Sequence, residues 1–388
     1  CKQNTDGFVN KYSFEQDTLK ILNLIEGEYN TLHWMALLLK NRTFRLSNEI
    51  AIDARDYIIE NFSIDLKGYD VVIDAVKAQK EGCDKKGYFV DVGIKNGFVL
   101  HDIFFLLILQ AMAGIYIHIP FCKSRCRYCD FFSTTQLEKR EAYIQAVIQE
   151  WQSHQPKWSQ QEIRTIYLGG GTPSLIPIES LRLLLHSILS RIDASCVQEI
   201  TLEANPGDIT KEKIRAWRAM GINRLSMGVQ SFNDRLLQLV GRRHSAEQAI
   251  QAVKTAQAEG ISNISIDLMY ALPTQTMAEW QADITQALAL KVPHISSYGL
   301  IYEEGTPLTQ CLEQGKITAL DEENEMQMYD YLVEQLTQHG YEHYEVSNYA
   351  KEGCRARHNS AYWQGVEYLG IGPGAHSFSR DNRTWCIS

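Results

Sequence analysis

Residues 115–129 read IYIHIPFCKSRCRYC. The first five alternate β-branched with bulkier side chains and predict a strand over 115–119. Pro120 removes a backbone donor and ends it. Directly behind come Cys122, Cys126 and Cys129, spaced C-x3-C-x2-C. Thiolates are soft ligands suited to iron–sulfur clusters and to zinc. A structural zinc site wants four ligands, and this loop supplies three cysteines, with His118 back in the strand. Three thiolates on one tight loop can hold three corners of a cubane 4Fe–4S cluster. The fourth iron then stays open to a small molecule. His118 either faces that cluster or is a satisfied core histidine, and the pattern leaves both open.

Outward from this loop the chain repeats. Strands are predicted at 115–119, 165–168, 199–203, 224–228, 263–268 and 295–300. Helical periodicity fills the gaps. Tyr143, Val147 and Trp151 share one face of 136–151, and Leu181, Leu184, Leu185, Ile188 and Ile192 share one stripe of 178–192. Ser245 with Gln248, and Thr276 with Glu279, form capping boxes. Gly221, Gly260 and Gly340 read as helix stops. Strand, helix, strand at this rhythm implies parallel pairing with right-handed crossovers. The expected fold class is α/β: a partial (β/α)6 barrel, not the closed eightfold one. Its chemistry should gather at the carboxyl ends of the strands.

A chain of 388 residues allows two or three domains. Lys+Arg is 38 against Asp+Glu 47, a net charge of −9, and no basic block stands out. That balance argues against a nucleic-acid partner. The other cysteines (Cys1, Cys83, Cys196, Cys311, Cys354 and Cys386) stand alone, which suggests a reduced compartment with one dedicated sulfur site. Residues 1–82 read as a partial α+β domain, with helices at 29–42 and 48–61 and strands at 19–24 and 69–73. Residues 83–111 read as a linker or junction. The apolar run IFFLLIL at 103–109 is far short of the about 20 residues of a membrane-spanning helix. Met112 reads as an original start, so 112–388 forms the core domain. A chain opening on Cys1 reads as a fragment or processed product, and no signal peptide opens it.

The motifs together resemble the radical S-adenosylmethionine (SAM) superfamily. IYIHIPFC (115–122), LGGGTPS (168–174), TLEANPGD (201–208), RLSMGVQSF (224–232), GRRHS (241–245), IDLMYALP (266–273) and SYGLIYEEGTPL (297–308) are similar to the branch containing oxygen-independent coproporphyrinogen III oxidase. The oxidase carries a further cysteine where this chain has Phe131. With CDFFS (129–133) and HNSAYW (358–363), the chain is most similar to the HemW-type haem chaperones of that branch. The resemblance starts at Gly114 and reaches the last residue, and the family's helical C-terminal domain is missing from the sequence. Residues 1–74 resemble the later part of a bacterial domain of unknown function associated with ADP-ribosyltransferase-like folds. The glycine-aromatic nucleotide-binding pattern of that domain is absent, so no ADP-ribosyl transfer is expected.

The resemblance implies a 4Fe–4S cluster on Cys122, Cys126 and Cys129, SAM chelating the open iron, and haem as cargo. Electron transfer into SAM would release a 5′-deoxyadenosyl radical. The cofactors carry that step, and the protein supplies position and dryness. By the same resemblance, Tyr116 and Tyr128 flank the cluster and contact SAM, with a core role open for Tyr116. Gly170, Gly171 and Thr172 meet its methionyl amine, unless they form an ordinary βα turn. Glu203 takes ribose hydroxyls or the amine, or is a plain carboxylate. Gln230, Arg242 and Asp267 line the pocket, Arg242 pairing with a carboxylate, with a helix-capping role open for Asp267. Gly299 allows close ligand approach. His358 would be an axial haem ligand, with Asn359, Tyr362 and Trp363 beside the porphyrin; a packed loop is the alternative.

The implied function is that of a cytoplasmic radical SAM-type haem chaperone. Its partners would be haem or porphyrin, an electron donor and a haem-accepting protein, with no stable membrane span. The alternatives are an oxygen-independent coproporphyrinogen III oxidase, which oxidatively decarboxylates propionates, and a defective fusion that keeps only cluster binding. Whether the chain is an enzyme stays open at this point.

Overall fold

The computed structural model describes residues 71–78, 87–94, 112–379 and 382–385. The helices expected at 29–42 and 48–61, the strand at 19–24 and the apolar run 103–109 lie outside these residues. The chain divides into two units, Cys1–Gln110 and Ala111–Ser388. In the first, β1 (Val71–Ala78) pairs antiparallel with β2 (Gly87–Ile94). β2 falls inside the stretch read as a junction. The alternate residues Tyr88, Val90, Val92 and Ile94 suit a strand, and the lysines and glycines around them hid that period.

The second unit opens with β3 (Met112–Ile119), α1 (Arg140–Trp158), β4 (Glu162–Gly170), α2 (Ile178–Leu189), β5 (Glu199–Ala204) and α3 (Lys211–Ala219). It continues with β6 (Arg224–Gln230), α4 (Asp234–Leu239), α5 (Ala246–Ala258), β7 (Asn263–Tyr270), α6 (Met277–Ala289) and β8 (His294–Gly299). Strands β3 to β8 lie side by side in chain order and all pair parallel. This is the open α/β barrel that the rhythm predicts. Both capping boxes, at Ser245 and Thr276, are formed.

Beyond β8 come α7 (Pro307–Glu313), α8 (Glu322–Gln338), β9 (Glu342–Glu345), β10 (Asn348–Ala350), α9 (Arg357–Trp363), β11 (Glu367–Ile371), β12 (His376–Ser379) and β13 (Asn382–Trp385). Sequence reasoning passed over β11, which lies parallel against β3. β12 and β13 extend that edge antiparallel, while β10 and β9 extend the edge at β8.

Each central strand has two chemistries. Ile115, Ile117 and Ile119 of β3, and Ile166 and Leu168 of β4, are buried in the main apolar core with Val147 and Trp151 of α1 and with Leu181, Leu184, Leu185 and Ile188 of α2. The alternate residues form the opposite face: Gly114, Tyr116 and His118 on β3, Thr165 and Tyr167 on β4, Thr201 and Glu203 on β5. Parallel strands covered by helices on one side and filled with polar side chains on the other leave a lined interior. The strand ends open it to ligands. Among the described residues no helix is long and apolar enough to cross a membrane.

Candidate active site

A cavity of about 430 Å³ lies at the carboxyl ends of the strands. Cys122, Cys126, Tyr128, Cys129, Gly170, Gly171, Thr172, Glu203, Gln230, Arg242, Asp267 and Gly299 all line it. They come from sequence positions far apart and meet only through the parallel topology.

The cysteine loop is stitched down on both sides. Cys122 N–H donates to the Thr134 carbonyl (2.9 Å) and Thr134 N–H to the Pro120 carbonyl (2.7 Å). Arg127 N–H donates to the Val240 carbonyl at the end of α4 (3.0 Å), and Leu308 N–H on α7 donates to the Arg127 carbonyl (2.9 Å). All three thiols are free. The Thr172 hydroxyl donates to Cys122 Sγ (3.5 Å), and Arg242 Nη1 donates to Cys126 Sγ (3.3 Å). Burial pushes the Cys122 and Cys129 thiols above their ordinary range.

Among the described residues no three His, Cys, Asp or Glu side chains converge on the position of a single metal ion. A four-iron cluster is wider than an ion, so its thiolates surround a volume and do not meet at a point. Arg242 Nε is buried without a hydrogen-bond partner beside these thiols. An orphaned N–H on a guanidinium whose Nη1 already donates to Cys126 Sγ suits an anionic group such as a thiolate-bound cluster or a carboxylate. The donor set and this orphan fit the cluster and the SAM that the cysteine pattern implies.

The glycine turn after β4 packs against the cysteine loop. Gly170 has φ +108°, and a Cβ there would sit 2.5 Å from the His118 ring. A Cβ on Gly171 would sit 2.8 Å from the Pro120 backbone carbon. Neighbouring protein fills the space beside both α-carbons, and both glycines still line the cavity. Gly299 is similar, its absent Cβ facing Glu325 (2.9 Å) and Tyr270 (3.2 Å).

The floor is acidic. Glu203 accepts from Tyr167 Oη (2.8 Å) and Gly170 N–H (2.9 Å). Burial, and secondarily the charge of Asp267, pushes Glu203 up to about 7. Asp267 accepts from the Ser226 hydroxyl (3.2 Å), and burial pushes it up to about 6. Two carboxyl groups so placed favour a cationic or hydroxyl-rich ligand above them.

Tyr116, His118, His358, Asn359, Tyr362 and Trp363 are not among the residues lining this cavity. Tyr116 stacks on Tyr167 at 6.0 Å and bonds His118 Nδ1 through its hydroxyl (3.1 Å). His118 Nε2 pairs with the Phe132 carbonyl (2.9 Å), so the histidine is satisfied within the core. His358 is 2% exposed. Its Nδ1 pairs with Thr165 Oγ1 (2.8 Å) and its Nε2 with Tyr362 Oη (2.9 Å), and burial pushes it down to about 3. Both ring nitrogens are thus engaged, which corrects the expectation of a free axial ligand. Glu199 accepts from the N–H groups of Arg357 and His358 (3.1 Å each), fixing α9 against the first residue of β5. That is the amino end of the strand, remote from Glu203. Asn359 is half-buried, whereas Tyr362 and Trp363 are exposed.

Ser226, Gly228, Tyr298 and Arg243 also line the cavity and were not singled out from sequence. Their signal was present, since each lies within a quoted motif.

The family model of the radical SAM superfamily matches residues 116–287. The chain is 41% identical over 271 residues to the haem chaperone HemW of Lactococcus lactis, covering 70% of each chain. It is 38% identical to the haem chaperone HemW of Bacillus subtilis, covering 70% of this chain and 73% of that one. Among solved structures, the radical SAM enzyme coproporphyrinogen III oxidase from Escherichia coli superposes with TM-score 0.61 at 24% identity, over 72% of this chain and 68% of that chain. At that identity the structural likeness bears on the fold.

Proposed function

The chain belongs to the HemW haem chaperone family of the radical SAM superfamily, and from that premise we propose that it holds a 4Fe–4S cluster and SAM in one cavity and haem as cargo. One observation carries this reading: three cysteines of a single loop, the Gly170–Thr172 turn, Arg242 and the Glu203/Asp267 floor line the same cavity. Cys122, Cys126 and Cys129 would hold the cluster. SAM, when bound to the open iron, supplies a cleavable sulfonium. Glu203 and Asp267 would take its ammonium and ribose hydroxyls, and Arg242 its carboxylate. Tyr128 and Gln230 would complete the wall. An electron donor, a haem-accepting protein and a cytoplasmic setting go with this reading.

For haem, the exposed rings of Tyr362 and Trp363 are the contact surface we favour, with Asn359 beside them. His358 then acts by holding the Tyr362 hydroxyl. Trp363 is 71% exposed and offers an uncovered aromatic face.

Three assays on one anaerobically reconstituted sample test the proposal: iron and sulfide content, haem titration, and coproporphyrinogen III turnover with SAM and reductant. The expected outcome is one cluster, haem binding, and no conversion of coproporphyrinogen. Trp363→Ala should weaken haem binding about tenfold, the equivalent of roughly 1.4 kcal/mol for a lost aromatic contact, and leave the cluster spectrum unchanged. Conversion of coproporphyrinogen III would replace the chaperone reading with the oxidase one.

A further inference from the structure

Asp208 is absent from the cavity wall, yet three of the loops that build the cavity end on it. It closes the short turn after β5, and its side chain is 1% exposed. Oδ1 accepts from Lys123 Nζ (3.1 Å). Oδ2 accepts from the Ser174 hydroxyl (3.0 Å) and from Arg243 Nη2 (3.3 Å). Each partner is close in sequence to a residue at the thiols. Lys123 follows Cys122. Ser174 stands two residues after Thr172, which donates to Cys122 Sγ, and Arg243 follows Arg242, which donates to Cys126 Sγ.

The hub is braced from below. Asn205 N–H donates to the Ser174 hydroxyl (3.2 Å), and Lys213 Nζ on α3 donates to the Ser174 carbonyl (2.8 Å). A buried carboxylate with charge-assisted donors is costly to leave half-satisfied, so its partners are held in one arrangement. The geometry points to Asp208 as the positioning residue of the sulfur site: one carboxylate fixes the cysteine loop, the glycine turn and the arginine pair relative to each other. This inference rests on the proposed cluster site, but the contacts exist without a cofactor and can be tested without one.

Lys123 and Arg243 both reach solvent, with side chains 47% and 25% exposed, so both can turn to water when the carboxylate is neutralised. Asp208→Asn should therefore fold, with its loops released. The decisive readout is the iodoacetamide labelling rate of Cys122 and Cys126 in the cofactor-free full chain, resolved by peptide mass spectrometry. We expect Asp208→Asn to label both about tenfold faster, equivalent to about 1.4 kcal/mol of lost loop closure, and Asp208→Glu to recover part of the difference. Lys123→Gln should speed labelling of Cys122, and adding it to Asp208→Asn should change nothing further. Asp283→Asn, at a carboxylate equally buried but bonded to Ser231 and Phe232 and to none of these partners, should leave both rates unchanged.

After anaerobic reconstitution, Asp208→Asn should also lose its cluster faster to a chelator. Unchanged labelling rates in Asp208→Asn would overturn the assignment. So would full additivity of the two substitutions. If Asp208→Asn does not fold, Lys123→Gln alone decides, and an unchanged Cys122 rate counts against the hub. Failure of every chain to take up a cluster would instead sink the proposed function and leave the labelling result standing.

Discussion

Gly170 was legible in the sequence as part of a glycine-rich turn, but the reason for it was not. The pattern suggests room for a ligand. The structure puts the His118 ring where a Cβ would go and adds a left-handed backbone, while Gly170 also lines the cavity. A one-dimensional motif cannot distinguish these, because the neighbour that fills the space comes from another strand. The two contributions separate by comparison with Gly305, which has φ +79° and nothing within 4 Å of the place a Cβ would occupy. Gly305→Ala should cost only the backbone strain, about 1–3 kcal/mol. Gly170→Ala should cost that plus overlap, about a further 1–3 kcal/mol, read as the difference between the two urea midpoints. Equal losses would mean that His118 moves aside freely. His358 teaches the same lesson: its motif was plain in the sequence, but engagement of both ring nitrogens depends on Thr165, which lies 193 residues away in the chain.

At the scale of elements, β3 to β8 were readable because they recur in a regular strand–helix rhythm along the chain. β11 was not. It has only five residues and follows a seven-residue helix, so neither its length nor its period stands out. Its identity as a strand comes from lying against β3, which is tertiary information. Another tie invisible to the sequence joins α6 to the end of β6. Asp283 on α6 accepts from the Ser231 hydroxyl and the Phe232 N–H (2.7 Å each). Burial pushes its acid up to about 6 from an ordinary 3.8. The folded chain thus holds a proton at Asp283 where the unfolded chain has already lost it. Stability should fall as pH rises from about 4 to 6, by roughly 2–3 kcal/mol for this group. Asp283→Asn removes that dependence. Its advantage in urea midpoint over the parent chain should therefore grow across this window and level off above it. A flat difference from pH 4 to 7 would show that the Asp283 carboxyl keeps its ordinary acidity in the folded state.

For the whole molecule, the six predicted β/α units and the cavity at their carboxyl ends follow from one principle: parallel strands bring the loops behind them to one end. That is why motifs spread from residue 115 to residue 308 converge, and why the HNSAYW motif, docked at the amino end of β5, does not join them. If the cavity is self-sufficient, a chain starting at Met112 should take up as much iron and bind SAM as tightly as the full chain. Loss of SAM binding, measured calorimetrically, would assign residues 1–111 a part in the site. The central claim is that three cysteines of one loop, and no others, hold the cluster. Iron and sulfide content after anaerobic reconstitution of single Cys→Ser variants tests it most directly. The account predicts about four irons per chain in the parent, the same in Cys196→Ser, Cys311→Ser and Cys354→Ser, and loss of the cluster in Cys122→Ser, Cys126→Ser and Cys129→Ser. A full complement of iron and sulfide in Cys126→Ser would contradict it.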